Sequence, residues 1–271
     1  MTVVTAAALS GVEAAVRKAA DVTGVDFDFL MRTAKRESGF DPGAKAGSSS
    51  AAGLFQFIEQ TWLATVKRHG AAHGYARYSD LIMEGTDGRF HVPGGDEARR
   101  AVMDLRYDPH CAALMAGELA SDHAAYLRGR TGREPTGGEL YAAHFLGPQG
   151  SAKLIEAAQQ SPGAIAASLF PDAAAANHGV FYRDGRALTV SEVYADLGRT
   201  GGGGDAAIQA DPGQTAFTEY AGAGRLERLR EQTMLMQFLL SAPDDSSSKS
   251  PFGALITSQM LAAFNKAKGG T

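Results

Sequence analysis

FDFLMRTAKRESGF, Phe27 to Phe40, and the GLFQF run from Gly53 to Phe57 that follows a short polar loop make the stretch that decides the fold. Asp26 stands just ahead and can cap a helix, because its carboxylate accepts from the unpaired amides of a first turn. Phe27, Leu30, Met31 and Ala34 then repeat at the i, i+3, i+4, i+7 spacing of a core-facing stripe. One more step of three lands on Glu37. A charged carboxylate on an apolar stripe is costly to bury, so it is expected to stay protonated, with a pKa raised by desolvation. A carboxylic acid held neutral near pH 7 is a general acid. The bland alternative is a surface carboxylate paired with Lys35 or Arg36. A glutamate at a helix C-terminus is disfavoured by the macrodipole, so either tertiary context holds it there or the helix ends earlier. The helix is expected to stop at Ser38-Gly39, and the Ser/Gly/Ala-rich run from Asp41 to Gly53 reads as a loop.

On either side the pattern is helical. Ser10 to Thr23 reads as a first helix, with Ser10 and Glu13 as a capping box, Val12, Ala15, Val16 and Ala19 inward, and Gly24 closing it. Glu59 to His69 is a third helix with Trp62, Leu63 and Val66 inward; Trp62 is either core or a stacking platform for a ligand. Residues 78 to 95 break the helical pattern and read as a short hairpin or an ordered excursion with a Gly-containing turn. Asp96 starts a helix to Arg106. Asp108-Pro109 starts another to about Arg128, on which His110 and His123 are expected in surface or capping roles. Thr136 caps Gly137 to Leu146, and Ser151 to Gln160 and Gly163 to Phe170 are short helices. Asp184-Gly185 is a hairpin turn. Thr189 and Glu192 make a further capping box, before a helix carrying Val193, Tyr194 and Leu197.

Composition narrows the function classes. A hydrophobic share of 44% is that of an ordinary globular chain, and a net charge of −4 implies no general affinity for nucleic acid. The single cysteine, Cys111, cannot form an internal disulfide, and with His110 it has no metal-ligand spacing. No Gly-x-Ser-x-Gly elbow, phosphate-binding loop or His-Glu-x-x-His motif is present. No run reaches the length of a membrane span. The opening MTVVTAAALS lacks a basic n-region and a continuous apolar core, so it does not read as a signal peptide.

Glu37-Ser38-Gly39-Phe40, the loop of about a dozen residues, and Gly53-Leu54-Phe55-Gln56 together resemble the signature of the lytic transglycosylases related to goose-type lysozyme, glycoside hydrolase family 23. The resemblance is plain over roughly residues 10 to 70 and weaker to about 198. It implies a mainly α, lysozyme-like helical domain with one or two small β-hairpins over residues 1–199. It also implies a peptidoglycan lytic transglycosylase that cleaves the β-1,4 bond between N-acetylmuramic acid and N-acetylglucosamine and leaves 1,6-anhydromuramyl ends. Glu37 would be the catalytic acid/base, Ser38 would orient it or the substrate acetamido group, and Gln56 and Phe57 would line the sugar groove. No metal and no cofactor are implied. Ala142-Ala143-His144-Phe145-Leu146-Gly147-Pro148 resembles a further family motif but departs from it: His144 stands at the family's tyrosine and Phe145 at its asparagine. Either His144 or Tyr141, one turn earlier, would do that tyrosine's work. A late helix with a groove-facing tyrosine is another family marker, which Tyr194 resembles and for which Tyr182 competes. The alternatives are a muramidase that adds water, and a wall-binding assembly module without activity.

A substrate in the cell wall implies the periplasm, and so an export route that the opening residues do not supply. Composition changes at Gly201. Residues 200–224 read as a Gly-rich linker. Residues 225–271 read as a flexible tail with two amphipathic helical segments, one carrying Leu226, Leu229, Met236 and Leu240, the other Phe252, Leu255, Ile256, Met260 and Phe264. Such a tail docks back on the domain or meets a partner; by analogy the partner would be a flagellar rod or secretion scaffold protein.

Overall fold

The computed structural model describes residues 6–47 and 49–201. Linker residues 202–224 and the tail at 225–271 lie outside the described residues. In chain order the helices are α1 (Ala6–Thr23), α2 (Phe27–Ser38), α3 (Glu59–His69), α4 (Ala76–Ser79), α5 (Gly95–Asp104), α6 (Pro109–Thr131), α7 (Gly137–Gln160), α8 (Ala166–Leu169), α9 (Pro171–Ala176), α10 (His178–Phe181) and α11 (Val190–Thr200). Two antiparallel strand pairs interrupt them. Strand β1 (Met83–Glu84) pairs with β2 (Phe90–His91), in the register Met83 to His91, and β3 (Tyr182–Arg183) pairs with β4 (Arg186–Ala187), in the register Tyr182 to Ala187. The fold is mainly α with two small hairpins, as the sequence pattern predicts.

The expected caps form where the sequence places them, with one exception. Asp26 accepts from the Phe29 amide, Asp108 from the Cys111 amide, and Thr136–Glu139 and Thr189–Glu192 are reciprocal capping boxes. Ser10 does not cap α1. The alanine-rich start of the chain is strongly helix-forming, and the helix begins at Ala6, so Ser10 falls inside it. Helix α8 is shorter than the Gly163–Phe170 segment expected. Ile165 is drawn into a β-bridge with Thr189, and the amides of Ala166 and Val190 bond to Leu188 and Ala164 carbonyls, so helix geometry cannot start earlier.

Helix α6 runs through the centre. Cys111, Ala112, Ala113, Leu114, Met115, Ala120, Ala124 and Leu127 are all buried on it, and α1, α2, α3 and α7 pack around it. Val12, Ala15, Val16 and Ala19 of α1 and Leu30 and Ala34 of α2 join this cluster, while Phe27 is only partly buried, beneath the Arg17 guanidinium. Trp62 settles as core: it is fully buried, its indole N–H donates to the Val102 carbonyl at 2.9 Å, and its ring meets Phe57 edge-on. A second apolar cluster, with Phe145, Leu154, Phe181, Leu188 and Val193, gathers around α7 and the hairpin of β3 and β4.

Helix α7 is broken in the middle. Gly147 sits at φ 74°, ψ 161°, a conformation open to glycine alone. Pro148 then restarts the helix at its first turn, where a missing N–H costs nothing. Both halves contribute to both clusters: Leu140 and Ala143 before the break and Ala152 and Ile155 after it join the first, while Phe145 and Leu146 before it and Leu154 after it join the second.

Candidate active site

Glu37 occupies the last turn of α2. The helix is closed by Gly39 in the left-handed conformation, its amide donating to the Ala34 and Lys35 carbonyls. The apolar stripe that buries Leu30 and Ala34 carries on to Glu37, which is 2% exposed. Neither carboxyl oxygen has a hydrogen-bond partner among the described residues. Burial pushes the carboxyl pKa up to about 8, against the opposing charge of Arg36. The partial negative charge at a helix C-terminus acts in the same direction as burial. At neutral pH Glu37 is therefore an un-ionised acid.

The loop after α2 is a tight structure. Lys45 bridges Ala52, Ala52 bridges Phe57, and the Gly53 amide donates to the Ala44 carbonyl at 2.8 Å. Gln56 has a positive φ of 46°, uncommon outside glycine, asparagine and aspartate. Its amide nitrogen holds it there, donating to the Gly53 and Ala44 carbonyls at 2.9 and 3.2 Å. Its Oε1 is buried without a hydrogen-bond partner among the described residues. Gln56 thus ties the loop with one end of its amide and leaves the other end free. The Ser38 hydroxyl lies 2.9 Å from the Leu54 carbonyl and 3.2 Å from that of Ala34, so its one proton is shared between two acceptors. It fastens the helix end to the loop.

A residue with no local sequence signal fixes the loop from outside. Arg106, 8% exposed, donates to the carbonyls of Met103, Ser50 and Phe57 and has no carboxylate partner among its hydrogen bonds. Gly53 lies so close to it that a Cβ there would fall 1.9 Å from the Arg106 carbonyl oxygen.

Between the loop, α2, α6 and α7 lies a cleft of about 690 Å³, including the solvent at its mouth. Phe29, Phe57, Leu119 and Leu140 are among its apolar walls, and Gln56, Tyr141, His123 and His144 bring the polar atoms. Glu37 stands beside this cleft, one turn beyond Thr33 of its lining, with its Oε1 3.6 Å from the Nε2 of His144. Burial, with a smaller effect from Arg36, lowers His144 to about 4, so the imidazole is neutral when the carboxyl is. Tyr141 is 2% exposed beneath the Arg36 guanidinium, 4.3 Å from the ring centroid. Its pKa is raised by burial, with Glu37 adding to the effect. His144 and Tyr141 thus both stand near Glu37.

For His123 the sequence suggests a surface or capping role. It is 5% exposed, lines the cleft, and is lowered to about 3 by burial and by His144. The signal for it was present in the sequence: Ala116, Leu119, Ala120 and His123 follow the same i, i+3, i+4, i+7 rule as α2. His110 is exposed, as expected.

Two tyrosines are not part of the cleft lining. The Tyr194 hydroxyl donates to Glu139 Oε1 at 2.7 Å. Glu139 also accepts from Arg133 and from the Thr136 amide; these bonds outweigh its burial and keep its carboxylate below the usual range. A phenol already bonded to a buried carboxylate is committed to the packing of α7 against α11. Tyr182 stacks on His178, centroids 4.2 Å apart, beside the second apolar cluster. Among the described residues no group of three or more His, Cys, Asp or Glu is placed to hold a metal ion.

Residues 14–81 match the family model described as Transglycosylase SLT domain. The match spans α1 to α4 and includes Glu37 and the loop to Gln56; this part of the chain is a lytic transglycosylase-type catalytic domain.

Proposed function

We propose that this chain, built on the transglycosylase domain at residues 14–81, is a peptidoglycan lytic transglycosylase with Glu37 as its single acid and base. The observation that carries the reading is the state of Glu37: a buried carboxyl with unpartnered oxygens, un-ionised at neutral pH, beside a cleft. Two other carboxylates, Asp41 four residues on and Glu139 on α7, are engaged elsewhere. Asp41 accepts from the Gly43 amide in its turn, and Glu139 is held by Arg133, Thr136 and Tyr194. A glycosidase with paired carboxylates places both across the bond; with one carboxyl, the substrate supplies the second function.

In this mechanism Glu37 gives its proton to the bridging oxygen as the bond between N-acetylmuramic acid and N-acetylglucosamine breaks. The 2-acetamido group supports the electron-poor anomeric carbon. The Glu37 carboxylate then takes the proton of the C6 hydroxyl, whose oxygen closes on the anomeric carbon. The product is a 1,6-anhydromuramyl end, no water is consumed, and Glu37 is returned to its acid form. The free Oε1 of Gln56 and the wall at Phe57 are suited to hold the sugar in register. The site of action is the periplasm; among the described residues no helix is long and apolar enough to cross a membrane.

The test is the mass of the ends released from purified sacculi. Anhydromuramyl ends support the reading; ends heavier by one water make the protein a muramidase; no release from a folded protein that still binds sacculi makes it a wall-binding module.

A further inference from the structure

Three buried polar atoms meet without a hydrogen bond to any described residue: both carboxyl oxygens of Glu37 and the Nε2 of His144. Unpaired buried polar atoms are costly, and such sites usually gain their partner when function requires it. At 3.6 Å the imidazole nitrogen is one small side-chain adjustment short of a hydrogen bond to Oε1. Catalytic hydrogen bonds that are long in a free enzyme tighten in the substrate complex.

We propose that His144 is a positioning residue for Glu37: its neutral imidazole, with the proton on Nε2, donates to the Glu37 carboxylate that forms when the leaving group is protonated. The inference rests on Glu37 being the acid and base. Proton count is simple. Glu37 loses its proton to the bridging oxygen and regains one from the C6 hydroxyl. His144 keeps its proton throughout and changes only the strength of one N–H···O bond.

The surroundings of His144 favour this role over that of a proton store. Glu37 and Arg36 face it from α2, and Tyr141 lies one turn away on its own helix. His123 faces it from α6, with Asp122 and Arg68 further along the same charge network. Burial and the Arg36 charge oppose an imidazolium at this place. The proton of the pair therefore rests on Glu37, where a general acid needs it, and not on His144, which would leave a stranded carboxylate and an inert ion pair. A neutral donor held close to a developing negative charge needs little reorganisation to reach it, and loss of one such donor typically lowers turnover about 10²- to 10³-fold.

The experiment compares His144→Phe, His144→Gln and Glu37→Gln in the full chain, with turnover of soluble glycan strands followed across pH 4 to 9. His144→Phe removes the donor. It is expected to lower kcat about 10²-fold with KM within a few-fold, and to move the alkaline limb of the kcat profile upward, because the Glu37 carboxylate has lost a stabilising bond. His144→Gln places an amide N–H near the position of Nε2; it is expected to recover most of kcat and return the limb toward the wild-type position. A folded His144→Phe with an unmoved alkaline limb, or a His144→Gln no better than His144→Phe, overturns the assignment. Glu37→Gln separates the two readings: if it stays active, Glu37 is not the acid, whereas a dead Glu37→Gln beside a fully active His144→Phe removes only the role of His144.

Discussion

Glu37 holds a proton at pH 7 that a solvent-exposed glutamate would have lost, and this has a thermodynamic sign. Its pKa rises from 4.5 in the unfolded chain to about 8 in the fold. Between those values the native state binds a proton that the unfolded state releases, so stability falls as pH rises through the window. Glu37→Gln removes this loss. The variant is expected to be inactive yet more stable, by about 3 kcal/mol at pH 7 and by little near pH 4; thermal melts at the two pH values check it. His123 and His144 act oppositely. Their pKa values, about 3 and about 4, lie below 6.5, so the stability they allow is present above 6.5 and is lost as pH falls toward those values. His123→Phe should therefore lose less of its melting temperature between pH 7 and pH 5 than the wild type does. Tyr194 offers a different check. If its hydroxyl serves Glu139 and not the substrate, Tyr194→Phe costs about 1–2 kcal/mol of stability in denaturant titration and leaves turnover within a few-fold.

Elements place these residues by a few close approaches. The loop that carries Gln56 is held by Arg106, three of whose N–H groups satisfy carbonyls of the loop and of the helix before it. Arg106→Met keeps the bulk but orphans those carbonyls, at about 1–3 kcal/mol. Because the loop carries both the free amide oxygen of Gln56 and the wall at Phe57, KM should rise as well; unfolding curves and kinetics on the same protein test the pair of effects. Helices α7 and α11 meet through glycines: a Cβ on Gly138 would stand 2.5 Å from the Gly198 Cα. That contact explains why the late helix lies against the start of α7 and delivers Tyr194 to Glu139 rather than to the cleft.

At the scale of the described residues, the helices gather around α6, whose two faces do different work. One face carries Leu119, Ala120 and His123 into the cleft. The other presents Glu118 and Asp122 to the end of α3 and the turn that follows it. His69 stands between the two carboxylates at 3.1 and 3.0 Å, Arg68 contacts Asp122, and His73 contacts Glu118. Burial pulls the His69 pKa down, but the bond to Asp122 and the two nearby negative charges outweigh it and raise the pKa. A raised histidine gives its full stabilisation below the unfolded value of 6.5 and loses it as pH climbs through the folded value. His69→Gln is thus expected to melt lower than the wild type at pH 6, with the deficit shrinking by pH 9.

Local rules made much of this legible in advance. The stripe of α2 ends on Glu37 in both sequence and fold, the caps at Asp26, Asp108, Thr136 and Thr189 close helices where their side chains predict, and Asp184-Gly185 makes its turn. These depend on neighbours within a few positions, where spacing alone sets geometry. What the tertiary structure alone decided is which distant groups meet. It brings His144 to Glu37 across more than a hundred positions of chain, turns Tyr194 to Glu139, ties Ser38 to Leu54, and sets Arg106 over the loop. No periodicity encodes those meetings. They follow from the packing of helices around α6, and from the burial that packing imposes, which is also what makes an acid of Glu37.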